Sequence, residues 1–116
     1  MRAFILALVL ALAAAPALAQ TVIPPEDCPK HLGEIVTVEG AVSNVHHAAS
    51  GRATFIDMGG QFPNNTFTAV IFKDDASKFP DMDLLTRKVI DITGRAQEYK
   101  GKCEIILNDP EQIKTK

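Results

Sequence analysis

Aromatic side chains that could stack a flat ligand are concentrated in one short stretch of this chain. Residues 54–72, "TFIDMGGQFPNNTFTAVIF", contain four of its six phenylalanines: Phe55, Phe62, Phe67 and Phe72. A nucleobase that stacks on an exposed ring gains about 1–3 kcal/mol of binding free energy, whatever its identity. A ring that faces inward packs the core instead. The direction of each ring therefore decides whether this stretch is a binding surface.

Basic side chains that could contact phosphates cluster towards the C-terminal end, at Arg87, Lys88, Arg95, Lys100 and Lys102. Lysine and arginine neutralise the phosphates of a nucleic acid, and binding of this kind weakens as salt is added. The alternative is that these residues lie at the solvated tip of a hairpin, where charge only keeps the surface soluble. Two glutamates, Glu98 and Glu104, lie beside these lysines and partly cancel their charge.

Residues with catalytic or metal-binding chemistry do not form a recognisable set. His46 and His47 are adjacent, and adjacent residues on a strand point to opposite faces, so they are poorly placed to share one ion. The pairs Asp74-Asp75 and Asp81/Asp83 are explained by helix capping. The chain has no P-loop, no HExxH and no Ser-His-Asp signature. We therefore expect no catalytic residue, no metal and no cofactor.

The N-terminal residues 1–19 have the pattern of a bacterial signal peptide. A positive charge at Arg2 precedes an apolar run from Phe4 to Ala15, and Ala17-Leu18-Ala19 supplies the small residues of a cleavage site before Gln20. The run is shorter than the roughly 20 residues that span a bilayer, although a retained anchor is the alternative. The pattern predicts a periplasmic or secreted protein with no membrane span after the leader is removed.

The two cysteines, Cys28 and Cys103, both lie after the predicted cleavage point. Thiols oxidise in exported proteins, and two sulfurs without CxxC spacing make a poor metal signature. We favour a disulfide over two free thiols or a metal pair. Such a bridge would help a mature chain that is short, because small domains bury a limited core.

Net charge argues against a protein that collects nucleic acid over its whole surface. The chain has a formal charge of −2, which becomes −3 once Arg2 is lost with the leader. A mildly acidic domain provides no overall electrostatic attraction for a polyanion. Any such ligand must use a local basic patch.

The mature chain reads as one all-β domain. An arm, residues 20–32, precedes strands predicted at 34–45, 53–58, 66–72, 88–99 and 103–108, with a short helix before Pro80. Gly40 and Gly94 each interrupt a long strand, where a glycine favours a bend or bulge. Five strands with two bends and a helix between strands 3 and 4 predict a five-stranded Greek-key OB-fold barrel over residues 33–113, followed by a tail at 114–116.

The same segments resemble nucleic-acid-binding OB domains of the tRNA-anticodon-binding type. "TFIDMGG…FTAVIF" is similar to the "FIDLRD…VQVVF" pattern of strands 2 and 3 in that family, and "ITGRAQEYKGKCEIIL" resembles its closing hairpin. The chain is more similar still to small exported bacterial OB modules with "GxxVTVxGxV", "YPNxTFTxVIF" and "YKGKxEI" segments. The resemblance covers roughly residues 33–113.

The resemblance implies that Phe55 lies on the outer face and stacks a base, with Asp57 beside it on that face. Ile56 and Met58 then belong to the core. The same reasoning places Phe67, Ala69 and Ile71 outside on strand 3, with Val70 and Phe72 inside. It also places Lys100 and Lys102, with Arg95 nearby, where a phosphate backbone would pass.

Two departures from the family pattern concern the groups that read base edges. Gly59 stands where the family has arginine, and Ala69 stands where it has glutamine. These departures favour stacking without sequence-specific reading. The candidate ligand is single-stranded nucleic acid or an oligonucleotide. The alternative is an envelope protein- or glycan-interaction module that uses Phe55, Phe67 and Ile71 as an apolar contact patch.

Overall fold

The computed structural model describes residues 21–116, so the predicted leader lies outside the described residues. The described chain is mostly β-structure. Its eight strands are β1 (Thr21–Ile23), β2 (Ile35–His47), β3 (Ala53–Met58), β4 (Phe67–Phe72), β5 (Val89–Arg95), β6 (Gln97–Tyr99), β7 (Lys102–Leu107) and β8 (Ile113–Thr115). Four short 3-10 helices occupy Pro25–His31, Lys73–Lys78, Met82–Leu85 and Pro110–Gln112.

The strands pair in the order β6-β7-β4-β3-β2-β5-β8, with β1 parallel to β2. Neighbouring strands on this path are antiparallel except β4 and β7, which run parallel. The prediction of five strands in a closed barrel is therefore wrong in its details. Three short strands, β1, β6 and β8, add to the five long ones, and the pairing path stays open between β5 and β7 among the described residues.

The long strand β2 joins the two halves of the sheet. Residues 35–41 pair with β5, and the part from Val42 to His47 pairs with β3. The register shifts between Val42 and Asn44, which places the irregularity three residues after Gly40. A bulge bends a strand and increases its twist. The prediction that β2 is long and bent is confirmed, but the bend lies near Ser43.

The two glycines that were expected to bend strands instead make room for neighbouring side chains. A Cβ on Gly40 would lie 2.7 Å from Cγ of Pro25, and a Cβ on Gly94 would lie 2.5 Å from Cγ2 of Ile105. Either contact is too close for any residue larger than glycine. Gly40 lets the N-terminal arm pack against β2, and Gly94 lets β7 approach β5.

The core lies between the inner faces of the strands. Ile56 and Met58 of β3 are fully buried there, as predicted, and so is Ile92 of β5. The other large core side chains are each at most 2% exposed: Val36, Val38, Val42, Phe67, Ile71, Ile90, Ile105 and Leu107. Burial of this apolar surface is the main favourable contribution to folding.

The N-terminal arm is attached to the sheet at two places. Its strand β1 pairs with residues 36–38 of β2, and its 3-10 helix carries Cys28, which is bonded to Cys103 of β7. The predicted disulfide is confirmed, with the two Cα atoms 5.9 Å apart. Proline at residues 24 and 25 begins a 3-10 helix, where an extended arm was expected. At the other end, the predicted tail forms β8 and pairs with β5.

The connection between β4 and β5 contains two 3-10 helices where one short helix was predicted. The carboxylate of Asp81 caps the second of them by accepting a hydrogen bond from the amide of Asp83. No side chain caps the first one, although Asp74 or Asp75 was expected to. Within residues 21–116, no helix has the length and apolar character of a bilayer-spanning segment.

Candidate ligand-binding wall

The outward face of β2, β3, β4, β6 and β7 carries the candidate site. Antiparallel pairing sets Phe55 between His46 of β2 and Val70 of β4, so these three side chains share one face. By the same register, Thr68 shares that face with Asp57, and Phe72 lies at the end of it. Paired residues of neighbouring strands always point to the same side of a sheet, so this face is continuous.

Five rings form what we call the aromatic wall: His46, Phe55, Phe62, Phe72 and Tyr99. The centroid of the His46 ring is 4.9 Å from that of Phe55 at an interplanar angle of 25°, and 5.0 Å from that of Phe62 at 40°. Phe62, Phe72 and Tyr99 are 57%, 46% and 57% exposed. Exposed rings that lie together on one face are the platform that single-stranded nucleic acids use.

Two hollows on the aromatic wall carry basic side chains, and both are lined by Phe55 and Tyr99. The first hollow has a volume of about 220 Å³ and the second, shallower one of about 570 Å³. The first is also lined by His46, Asp57, Phe62, Thr68, Lys100, Lys102 and Glu104. The second is also lined by Ala48, Ser50, Arg52, Ala53, Phe72, Lys73 and Asp74.

Each hollow has a pair of basic side chains. Lys100 and Lys102 line the first hollow, and Arg52 and Lys73 line the second. The Nζ atom of Lys100 lies 5.4 Å from the centroid of the Tyr99 ring, within the range of a cation–π contact. The ammonium of Lys102 donates to the carbonyl oxygens of Pro63 and Asn65, which holds it against the loop that follows β3.

Arg95, the third basic residue of the predicted site, lies elsewhere. Its guanidinium donates a 2.6 Å hydrogen bond to the carbonyl oxygen of Gly33 at the start of β2. It lines neither hollow. Because Arg95 pairs in register with Ile35, it belongs to the other half of the sheet, and its place in the predicted site is wrong.

Asp57 lies on the predicted face, but its side chain is fully buried beneath the first hollow. Its Oδ1 atom accepts hydrogen bonds from the hydroxyl of Thr68 at 3.2 Å and from the amide of Asn65 at 3.3 Å. Its Oδ2 atom lies 3.1 Å from Nε2 of His46. Burial raises the pKa of the Asp57 carboxyl, and this outweighs the opposite effects of His46, Thr68 and Lys102.

Replacing Asp57 with asparagine tests whether the buried carboxylate destabilises the folded state. A carboxyl whose pKa is raised by folding favours the folded state when protonated, and it loses that contribution as pH rises above the ordinary aspartate value of about 3.9. Asparagine never ionises. We therefore expect the stability of Asp57→Asn to rise relative to that of the native protein between about pH 4 and about pH 7, as the difference in their free energies of unfolding. Urea titrations at the two pH values measure it.

The control for this measurement is Asp74→Asn, an exposed carboxyl at the rim of the second hollow. Its relative stability should change less over the same pH interval, because water already solvates its charge. A destabilisation of Asp57→Asn that grows towards neutral pH would show that His46 and Lys102 stabilise the carboxylate by more than its burial costs.

The predicted direction of the β4 side chains is wrong. Phe67, Ala69 and Ile71 were expected outside, but they are 0%, 0% and 2% exposed and belong to the core. Phe72 was expected inside and is 46% exposed on the aromatic wall. Val70 is buried, but under Phe55 and Phe72 rather than in the core. The register with β3 explains this, since Val70 is paired with Phe55 and must share its face.

Several residues of the aromatic wall were missed by the sequence reasoning. His46 was considered only as a metal ligand, and Phe62 lies in a loop, where strand alternation assigns no direction. Tyr99, Arg52 and Lys73 carried no local signal. His46 is paired with Phe55, Arg52 and Lys73 flank the paired strands β3 and β4, Tyr99 ends β6, and Phe62 lies in the loop after β3, so only the tertiary fold brings them together.

The two adjacent histidines point to opposite faces, as predicted. His47 Nε2 lies 3.0 Å from Oδ1 of Asp83, and its Nδ1 lies 3.0 Å from the hydroxyl of Thr54, away from the aromatic wall. In the described part of the chain, three or more His, Cys, Asp or Glu side chains nowhere come together in a group that could hold a metal ion.

Comparison with known proteins identifies the fold. No protein-family model matches the chain, and no curated protein matches it. Several solved structures are similar to the chain. An aspartyl-tRNA synthetase from Entamoeba histolytica is 16% identical with a TM-score of 0.59 over 83% of this chain, and an asparaginyl-tRNA synthetase from Pyrococcus horikoshii is 15% identical with a TM-score of 0.52 over 80%. The chain has an OB fold.

This OB fold corresponds to only a small part of those enzymes, since the match covers 21% and 22% of their lengths. A third structure, an OBody bound to hen egg-white lysozyme, is 20% identical with a TM-score of 0.56, and the match covers 87% of this chain and 98% of the OBody. At these identities the similarity establishes the fold alone. One OB fold serves many functions, so the function must be argued from the aromatic wall itself.

Proposed function

We propose that this chain is an exported, non-catalytic OB-fold binding module whose aromatic wall binds single-stranded nucleic acid or an oligonucleotide. The observation that carries the proposal is the combination of aromatic and basic side chains on one face. Stacking surfaces and cations side by side are the two requirements for binding single strands without sequence preference. Export is supported by the leader pattern of residues 1–19 and by the Cys28–Cys103 disulfide.

The two hollows support a ligand that has several rings and several charges. Phe55 and Tyr99 line both hollows, so bases in neighbouring hollows would contact the same two rings from different sides. The paired cations, Lys100 with Lys102 and Arg52 with Lys73, would then lie near successive phosphates. Phe72, which the sequence placed in the core, extends the stacking surface on the second hollow.

The proposal is tested by the anisotropy of a labelled oligonucleotide at low salt, comparing the native protein with Phe55→Ala. Because stacking on one ring contributes about 1–3 kcal/mol, we expect the affinity to fall about 5- to 150-fold. The control is Leu84→Ala, which removes a 69% exposed side chain outside both hollows. Absence of binding at low salt, or equal affinities for the two variants, would reject the proposal.

Salt dependence separates phosphate contacts from stacking in the same assay. Each neutralised phosphate of a single strand contributes about −0.7 to the slope of log K against log salt, so four cations predict a slope of about −3. Lys100→Ala should reduce the slope by about 0.7, since it removes one cation from the first hollow.

A protein partner is the second candidate, because the OBody that shares this fold is bound to a protein, lysozyme. The exposed rings Phe62, Phe72 and Tyr99 would then form an apolar contact patch. Such a complex would lose affinity in Phe55→Ala but would depend little on salt or on Lys100, which distinguishes it from nucleic-acid binding.

A further inference from the structure

The His46–Asp57 pair lies within the proposed binding site and is not explained by stacking or by phosphate contacts. The His46 ring is enclosed by Phe55 and Phe62, and its Nε2 atom lies 3.1 Å from Oδ2 of Asp57. The side chain of Asp57 is fully buried, whereas that of His46 is 29% exposed. A histidine paired with a buried carboxyl can gain or lose a proton without leaving its place in the wall.

The hydrogen bonding of this pair is incomplete. His46 Nε2 and Asp57 Oδ2 are both buried and lie 3.1 Å apart, and neither has a hydrogen-bond partner within residues 21–116. Buried polar atoms without partners are uncommon and carry a free-energy cost. A change in the protonation of this pair would alter the charge beneath the first hollow.

We infer that protonation of the His46–Asp57 pair controls how tightly the aromatic wall holds a polyanionic ligand. This inference rests on the proposed function, since it concerns the same wall. Histidine gains its charge between about pH 8 and pH 5, the interval in which envelope and extracellular conditions vary. A ligand held at neutral pH would accordingly be held more tightly as the surroundings become acidic.

The direction of the effect does not depend on which member of the pair takes the proton. With a neutral imidazole and an ionised carboxyl, the floor of the first hollow carries one negative charge. One proton makes the pair neutral, either as an ion pair or as two uncharged groups, and a second proton makes it positive. Every proton added to the pair therefore reduces its repulsion of a phosphate. Burial raises the pKa of the Asp57 carboxyl, so proton uptake by the pair moves towards neutral pH.

The other charged groups that face the pair do not reverse this direction. From β7, Lys102 and Glu104 line the same hollow, Tyr99 does so from the end of β6, and Lys100 from the β6–β7 turn. Lysine and glutamate ordinarily keep their charges from about pH 5.5 to about pH 8, and tyrosine stays neutral. β4 contributes the hydroxyl of Thr68, and the loop after β3 contributes Phe62 and Asn65, none of which titrates.

The test is the affinity for a short oligothymidylate at about pH 8 and about pH 5.5 at constant ionic strength, since thymine does not titrate in this interval. A unit charge about 6 Å from a phosphate, at an effective dielectric constant of about 40, corresponds to a change of about tenfold. We expect about tenfold tighter binding at the lower pH. Calorimetry at about pH 7 in buffers of different ionisation enthalpy should show that binding takes up protons, as linkage requires.

Three variants assign the effect to the pair. The double substitution His46→Gln, Asp57→Asn should remove most of the pH dependence, whereas His47→Gln, which changes the neighbouring histidine on the opposite face, should retain it. Asp57→Asn keeps the shape of the side chain and removes its negative charge. It should bind more tightly than the native protein at about pH 8 and so show a smaller change with pH, by the same charge argument.

The outcomes separate the inference from the proposed function. Absence of binding at both pH values rejects both. Binding of the native protein that does not change with pH, or a pH dependence retained by the folded double variant, rejects the inference and leaves nucleic-acid binding in place. If the double variant fails to fold, Asp57→Asn decides: an affinity at about pH 8 no higher than that of the native protein rejects the inference.

Discussion

Removing the disulfide by the double substitution Cys28→Ala, Cys103→Ala is expected to lower the free energy of unfolding by about 4 kcal/mol. The bridge joins residues 75 positions apart, and in the chain-entropy model a closed loop of that length restricts the unfolded chain by about this amount. Domains of this size are stable by only about 5–15 kcal/mol, so the loss is a large fraction of the total.

Urea titration of the native and double-substituted proteins measures this loss. Both sulfur atoms belong to buried residues, so the small alanine side chains also lose some packing and the effect should not be smaller than the entropic one. Titration of the native protein with its disulfide reduced is the control, because it removes the bridge but keeps the side chains. A loss below about 1 kcal/mol in both cases would mean that the arm is held by β1 pairing alone.

Phe67→Ala and Phe72→Ala are expected to have very different effects although both rings belong to β4. Phe67 is fully buried in the core, and truncation of a buried phenylalanine costs about 3–5 kcal/mol. Phe72 is 46% exposed, so its truncation should cost less than about 1 kcal/mol. Thermal unfolding of the two variants measures the difference.

Ligand binding should show the reverse order for the same two variants. Phe72→Ala should weaken oligonucleotide binding because Phe72 lines the second hollow, whereas Phe67 touches neither hollow. The pair also checks the direction of β4 independently of the ligand. Similar losses of stability for the two substitutions would contradict the strand register that pairs Val70 with Phe55.

Alternation together with the resemblance to OB domains predicted the face of β3 but not that of β4. In β3, alternation groups Phe55 with Asp57 and Ile56 with Met58, and the resemblance indicated that the first pair faces outward. In "FTAVIF" both faces are apolar, so alternation allows two opposite arrangements. The register with β3 selects between them, and register is set by contacts between residues distant in sequence.

The binding wall was predictable only where its residues belong to a recognisable segment. Phe55, Lys100 and Lys102 lie in segments that resemble known OB domains, and they do line the first hollow. Phe62 and Tyr99 also lie in such segments, but they meet His46 at the first hollow only through the tertiary packing of three different elements. Arg95 lies in one of the resembling segments and yet bonds to Gly33, since proximity in sequence does not fix the direction of a long side chain.

The way β2 is shared between the two halves of the sheet has a consequence for when this protein can fold. Its partner β5 follows about fifty residues later in the chain, and the parallel partner of β4, β7, comes after β5. Contacts between such distant segments form slowly, because a long loop must close before they bring any gain. A nascent chain that ends before residue 103 also lacks the second cysteine. Completion of the domain therefore waits for nearly the whole polypeptide.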